Sequence, residues 1–147
     1  MKVNVYMYQT VKGPRRQQAY GVYILEAETA QGPVTKTIHL QTEGSENEAN
    51  LKVLADALEH LKKPTDLSIY TESQWLSTAL TEWLPKWRET EYLSAKNEKV
   101  AFSDIWEKVG KILESQNMTV FCQNEHSFRG WLIKNAKNRI NTLCERL

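Results

Sequence analysis

Only two cysteines, Cys122 and Cys144, occur in the 147 residues. They are too few and too separated for a disulfide framework or a four-ligand zinc site, so free thiols in a reducing compartment are expected. No apolar run approaches the roughly 20 residues of a bilayer span. The opening MKVNVYMYQT has no signal-peptide core, so the expectation is a cytoplasmic chain without membrane contact. Net charge is scarce as well: 19 Lys and Arg stand against 18 Asp and Glu. No whole-molecule field therefore announces a nucleic acid or a membrane surface. Internal repeats and low-complexity segments are also missing.

Any electrostatic signal must then be local. Met1 to Tyr20 holds Lys2, Lys12, Arg15 and Arg16 and no acid, and Arg129 to Leu147 holds five basic residues against Glu145 alone. Each run reads either as solvated surface charge or as a patch facing phosphates. The length and the 41% hydrophobic content suit one core in a single domain spanning 1–147.

Hydrophobic periodicity sets the order of elements. Val3, Val5 and Met7 alternate with Asn4, Tyr6 and Tyr8, and strand-like runs follow from Tyr20 to Leu25 and from Val34 to Leu40. The turn at Gln31, Gly32 and Pro33 suggests an antiparallel meander. From Glu46 the spacing changes: Leu51, Leu54, Leu58 and Leu61 form one stripe of a helix ending before Pro64. A strand over Leu67 to Tyr70 comes next. Trp75, Leu76, Ala79, Leu80 and Trp83 then mark a helix stopped or kinked near Pro85, with Trp87 just beyond. Arg88 to Lys99 reads as a loop or projecting element. Ile105, Trp106, Val109, Ile112 and Leu113 give another helix, and Met118 to Cys122 a fifth strand. Leu132, Ala136, Ile140, Leu143 and Leu147 close the chain with an amphipathic helix whose other face holds Lys134, Lys137 and Arg146. This order predicts an α/β fold with five strands of mixed pairing.

The run Tyr70, Thr71, Glu72, Ser73, Gln74 and Trp75 resembles the fourth-strand motif of type 1 ribonuclease H, Tyr-Thr-Asp-Ser-Gln followed by an aromatic residue. The resemblance continues through Thr81 to Leu84, Lys86 to Arg88 and Asp104 to Glu107, in the order of that family's basic protrusion and following helix. Upstream, Lys12 to Pro14 and Tyr20 with Gly21 resemble its first hairpin loop, and Asn47 with Leu51 its first helix. The likeness is specific in the middle third and poor after Cys122. It implies a ribonuclease H-like fold: a five-stranded mixed sheet, three antiparallel strands then two parallel, flanked by helices.

The chemistry of that family needs clustered carboxylates, because hard divalent cations prefer oxygen ligands and two of them must be held about 4 Å apart. Carried over one by one, the family's four acids fall at Tyr8, Asn50, Glu72 and near Trp131, so only Glu72 remains a carboxylate. Glu43, Glu46 and Glu48 lie close to Asn50, yet Glu48 is roughly 200° round the helix from it. No acid lies between Met1 and Tyr20 or between His126 and Arg139. The expectation is therefore no resident metal, with magnesium or manganese relevant only to residual activity. The rings of Tyr8 and Trp131 are expected to fill part of the centre, with the Tyr8 hydroxyl bonded to Glu72. His126 falls where the family carries a histidine on a mobile loop; the plainer reading is a surface histidine. His39 and His60 receive no role.

For nucleic acid, the resemblance implies backbone contacts from Lys12, Arg15 and Arg16 in the first loop, Ser45 and Asn47 at the helix start, and Gln74, Lys86, Trp87 and Arg88 further on. Trp83 and Trp87 read as core or as stacking platforms. The expected function is a ribonuclease H-like domain without catalysis, kept to bind an RNA/DNA hybrid or another duplex. A protein-interaction or assembly scaffold is a second reading, and a residual hybrid nuclease with substitute carboxylates a third.

Overall fold

The computed structural model describes residues 1–123, 126 and 128–136. β1 (Lys2–Gln9), β2 (Gln17–Thr29) and β3 (Gly32–Gly44) form the meander, followed by α1 (Glu46–Leu58) and β4 (Asp66–Thr71). A continuous helical run comes next: α2 (Gln74–Thr78), a π-turn (Ala79–Trp83) and α3 (Leu84–Glu89). α4 (Ser103–Leu113), β5 (Asn117–Cys122) and α5 (129–136) complete the described chain. The strand order is β3-β2-β1-β4-β5, with β1 antiparallel to β2 and parallel to β4, and β4 parallel to β5. This is the mixed five-stranded sheet that the sequence predicts.

Central position explains why β1 is buried on both faces. Val3, Val5 and Met7 face Leu51, Leu54 and Leu58 of α1 and the core that α2 and α4 extend. Tyr6 faces the other way, where Val22, Ile24, Leu132 and Ala136 make a smaller cluster under α5. On that face Tyr6, Tyr70 and Phe121 occupy matched register positions on β1, β4 and β5, and their rings stack at 4.7 and 4.9 Å. Asn4 donates to the Glu26 carboxylate at 2.9 Å, as does the Tyr6 hydroxyl at 3.4 Å, so these two buried polar positions of the alternation find their partner on β2. The Tyr6 hydroxyl is pushed up to about 12 by burial and by the adjacent Glu26 carboxylate.

Three expectations are corrected in detail. β2 and β3 run several residues past Leu25 and Leu40, because their hydrogen-bonded ladder continues beyond the part that helices cover. α1 ends at Leu58, yet Leu61 still packs on the core from the following turn. The chain also stays helical through Pro85: a π-turn just upstream absorbs the break in the hydrogen-bond ladder that a proline imposes. Trp87 consequently lies within α3. Ile140, Leu143, Leu147, Lys137, Arg139, Arg146 and Cys144 lie outside the described residues, whereas Cys122 is an exposed free thiol. Among the described residues no helix is long and apolar enough to cross a membrane.

Candidate functional site

The C-terminal ends of β1 and β4 meet the start of α1 around a recess of about 30 Å³, lined among others by Tyr8, Lys12, Glu46, Asn50 and Glu72. Local hydrogen bonds fix its rim. The Thr71 hydroxyl accepts from the Ser73 amide at 3.1 Å, and Ser73 caps α2 by accepting from Leu76 at 3.0 Å, which sets Glu72 in a tight turn after β4. Across the recess, the Glu46 amide donates to Gly13 O at 3.0 Å and the Gly13 amide returns a bond to the Glu46 carboxylate at 2.9 Å. This reciprocal pair staples the basic first loop to the start of α1. Gly13 has a φ of 87°, which glycine adopts without strain.

Of the four positions carried from the family, three converge here. Tyr8, Asn50 and Glu72 line the recess, whereas Trp131 is 43% exposed and does not enter it. The expected aromatic filling is thus corrected: α5 is held by Leu132 and Ala136, one and five positions on, which leaves Trp131 facing solvent. No hydrogen bond joins the Tyr8 hydroxyl to Glu72. Instead the Glu72 carboxylate accepts from Arg129 Nε at 2.5 Å, so α5 contributes a cation to the centre. The amide of Asn50 turns back to donate to Glu46 O at 3.0 Å, and the Lys12 ammonium stands 5.6 Å over the Tyr8 ring. Glu48 faces away, as its helix angle implies, and pairs with Arg16 and, at 2.8 Å, with Lys52.

These groups do not fit a pair of divalent cations. Such ions require several converging anionic oxygens. The recess offers Glu72, already bound to a guanidinium, and Glu46, already bound to a backbone amide. Among the described residues no group of three or more His, Cys, Asp or Glu side chains is placed to hold a metal.

The nucleic-acid candidates divide into two sets. Lys12, Arg15 and Arg16 are exposed in the first loop, and Gly13 and Pro14 share a groove with Ser45, Glu46 and Asn47. Ser45 caps α1 by accepting from the Glu48 amide. Gln74 and Lys86 are exposed further along, Gln74 bonding Thr78 at 3.1 Å. Trp87 and Arg88 are drawn inward. Trp87 packs against Trp83 and Trp106 at 5.9 and 5.3 Å, and Arg88 donates to Gly110 O at 2.8 Å. The core reading of the tryptophans is therefore the one that describes Trp83 and Trp87.

His126 lies beside this centre rather than in free solution. Its Nδ1 accepts from the Phe128 amide at 3.2 Å, and its ring packs 4.9 Å from Tyr6. Burial lowers its pKa, Glu72 opposes that shift and Arg129 adds to it. Between the lowered folded value and the unfolded value near 6.5, the unfolded chain binds more protons, so stability falls as pH drops through that window. Urea unfolding between about pH 7.5 and 5.5 is expected to show this loss in the wild type and less of it in His126→Gln; equal slopes would remove His126 as the cause.

Sequence reasoning missed two features. Arg129 was legible only as part of a basic run. His60, given no role, shares the Tyr23 hydroxyl with Asp56, at 2.9 and 2.6 Å. The signal for that pair was the four-residue spacing of Asp56, in the last turn of α1, and His60, in the turn that follows it.

The RNase H family model matches residues 2–137. A Ribonuclease H from Legionella pneumophila (strain Lens) is 26% identical over 128 residues, covering 86% of either chain. One from Prosthecochloris aestuarii is 29% identical over 102 residues, covering 69% of this chain and 64% of its own. Among solved structures, the solution structure of the PFV RNase H domain superposes with a TM-score of 0.70 at 13% identity, covering 93% of this chain and 90% of that one. The foamy viral protease-reverse transcriptase in complex with RNA/DNA hybrid gives 0.70 at 12% identity, covering 92% of this chain and 19% of the larger one.

Proposed function

The chain belongs to the RNase H family, and on that premise we propose that it binds nucleic acid, an RNA/DNA hybrid or another duplex, without hydrolysing it. The observation that carries the reading is the ion pair between Glu72 and Arg129. Two-metal hydrolysis uses carboxylates to hold both ions against the scissile phosphate. Here the one acid kept at the family positions is committed to a guanidinium, and its would-be partners are a phenol and an amide.

Support for binding comes from the first loop. Lys12, Arg15 and Arg16 are exposed beside the start of α1, where Asn47 is exposed too, and clustered cations gain affinity for a phosphate backbone by releasing its counterions. Polar side chains at a helix start position that backbone. A foamy viral relative in fold was solved with an RNA/DNA hybrid, which is the duplex to try first.

A labelled RNA/DNA hybrid incubated in magnesium or manganese is expected to stay intact with both the wild type and Glu72→Ala, while the same samples retard it in a salt-sensitive manner. Metal-dependent cleavage that disappears in Glu72→Ala would sink this reading and point to Glu46, on the same recess, as a substitute ligand. Neither cleavage nor retardation would favour the interaction scaffold.

A further inference from the structure

Arg129 and Lys12 bring two positive charges to the place where two-metal hydrolysis puts divalent cations, and both have capacity left over. Arg129 spends its Nε on Glu72, its terminal nitrogens have no hydrogen-bond partner among the described residues, and its side chain is 42% exposed. A guanidinium offers five donors in a planar fork, so a carboxylate on one edge leaves another edge for a second oxyanion. The Lys12 ammonium lines the recess that Glu72 also lines, and it has no carboxylate within ion-pair distance among the described residues. A cation fixed between a carboxylate and open solvent is arranged as a bridge to a second anion.

We propose that Arg129 and Lys12 bind a backbone phosphodiester of a nucleic acid at the Glu72 recess, taking the bridging place of the metal ions, so that binding at this centre is independent of divalent cations. The inference rests on the nucleic-acid-binding reading above. It adds a contact, Arg129, that the basic first loop does not supply, and it gives Glu72 a positioning role: the carboxylate holds the guanidinium in place.

The full chain is titrated into a fluorescently labelled RNA/DNA hybrid, once with EDTA and once with magnesium. Equal affinity in the two buffers is expected. Arg129→Ala should weaken binding and flatten the log–log salt dependence by about one unit, the share of one phosphate contact. Adding Glu72→Gln to that variant should recover part of the loss, because it removes the carboxylate left facing the phosphate. Arg129→Lys, which keeps a point charge without the fork, should fall between. Thermal melts of each variant separate these effects from misfolding. Wild-type binding that collapses in EDTA and returns with magnesium would overturn the inference and leave the nucleic-acid reading standing. So would binding in EDTA that Arg129→Ala does not touch. Absence of binding in both buffers would remove both.

Discussion

Trp106→Ala is expected to destabilise the fold by about 3–5 kcal/mol, the range for truncating a fully buried aromatic side chain. Trp106 is 0% exposed and holds together elements that share little backbone bonding. From α4 its indole meets Trp75 of α2 at 6.0 Å and Trp87 of α3 at 5.3 Å, within the cluster that also takes in Leu51 and Leu54 of α1. Neighbours of that size cannot collapse into the space an indole leaves, so the cavity cost adds to the lost burial. The expected fall in Tm is roughly 6–20 °C for a chain of this length. One feature works the other way. The Trp106 Nε1 is buried without a hydrogen-bond partner among the described residues, a cost of about 1–3 kcal/mol in the wild type. Trp106→Phe removes that donor and keeps most of the ring, so its net loss should be much smaller. Urea unfolding compares the variants, and an alanine variant within about 1 kcal/mol of wild type would mean that the aromatic cluster is not the keystone of the helical layer.

The architecture was legible wherever one face of an element is buried and the other is wet. α1 and α4 have such stripes, and β1, though buried on both faces, still alternates Val3, Val5 and Met7 with Asn4, Tyr6 and Tyr8. The ends of β2 and β3 lack that contrast: Glu28, Thr35 and Lys36 are exposed and sit in a backbone ladder, and backbone pairing leaves no mark in side-chain hydropathy. Pro85 misleads for the opposite reason. Its effect on a helix depends on whether the preceding turn can widen, which is a property of packing and not of the residue itself.

The site was legible in part. Tyr8, Asn50 and Glu72 were brought to one recess because their motifs lie on strands and helices whose register the core fixes. Trp131 was not, since the likeness fades after Cys122 and a shift of one or two residues on a helix turns a side chain by 100° or 200°. That shift separates an exposed Trp131 from Arg129, which reaches Glu72. Arg88 shows a second limit. A basic residue in a basic segment looks like a phosphate contact until its guanidinium is found bonded to Gly110 O.

Alanine at Lys12, Arg15 and Arg16 together is expected to weaken hybrid binding roughly fiftyfold at about 0.1 M salt and to flatten the salt dependence by about two units. The estimate follows from unequal shares. Lys12 and Arg15 have no ion pair among the described residues, so each should neutralise a phosphate in full, about 0.9 of a unit apiece. Arg16 is shared with Glu48, which Lys52 also holds, so its net contribution should be smaller. The fold should survive, since Glu48 keeps Lys52 as its partner and the staple between Gly13 and Glu46 uses backbone atoms of the loop. Phosphate contacts carry no base information, so the loss should be the same for unrelated hybrid sequences. Lys36→Ala, on the exposed edge strand β3, serves as the control and should leave affinity unchanged. Anisotropy titrations over a salt series decide the matter. An unaltered slope in the triple variant would mean that these charges are solvated surface, and that any duplex contact has to be sought at Arg129 and Lys86 instead.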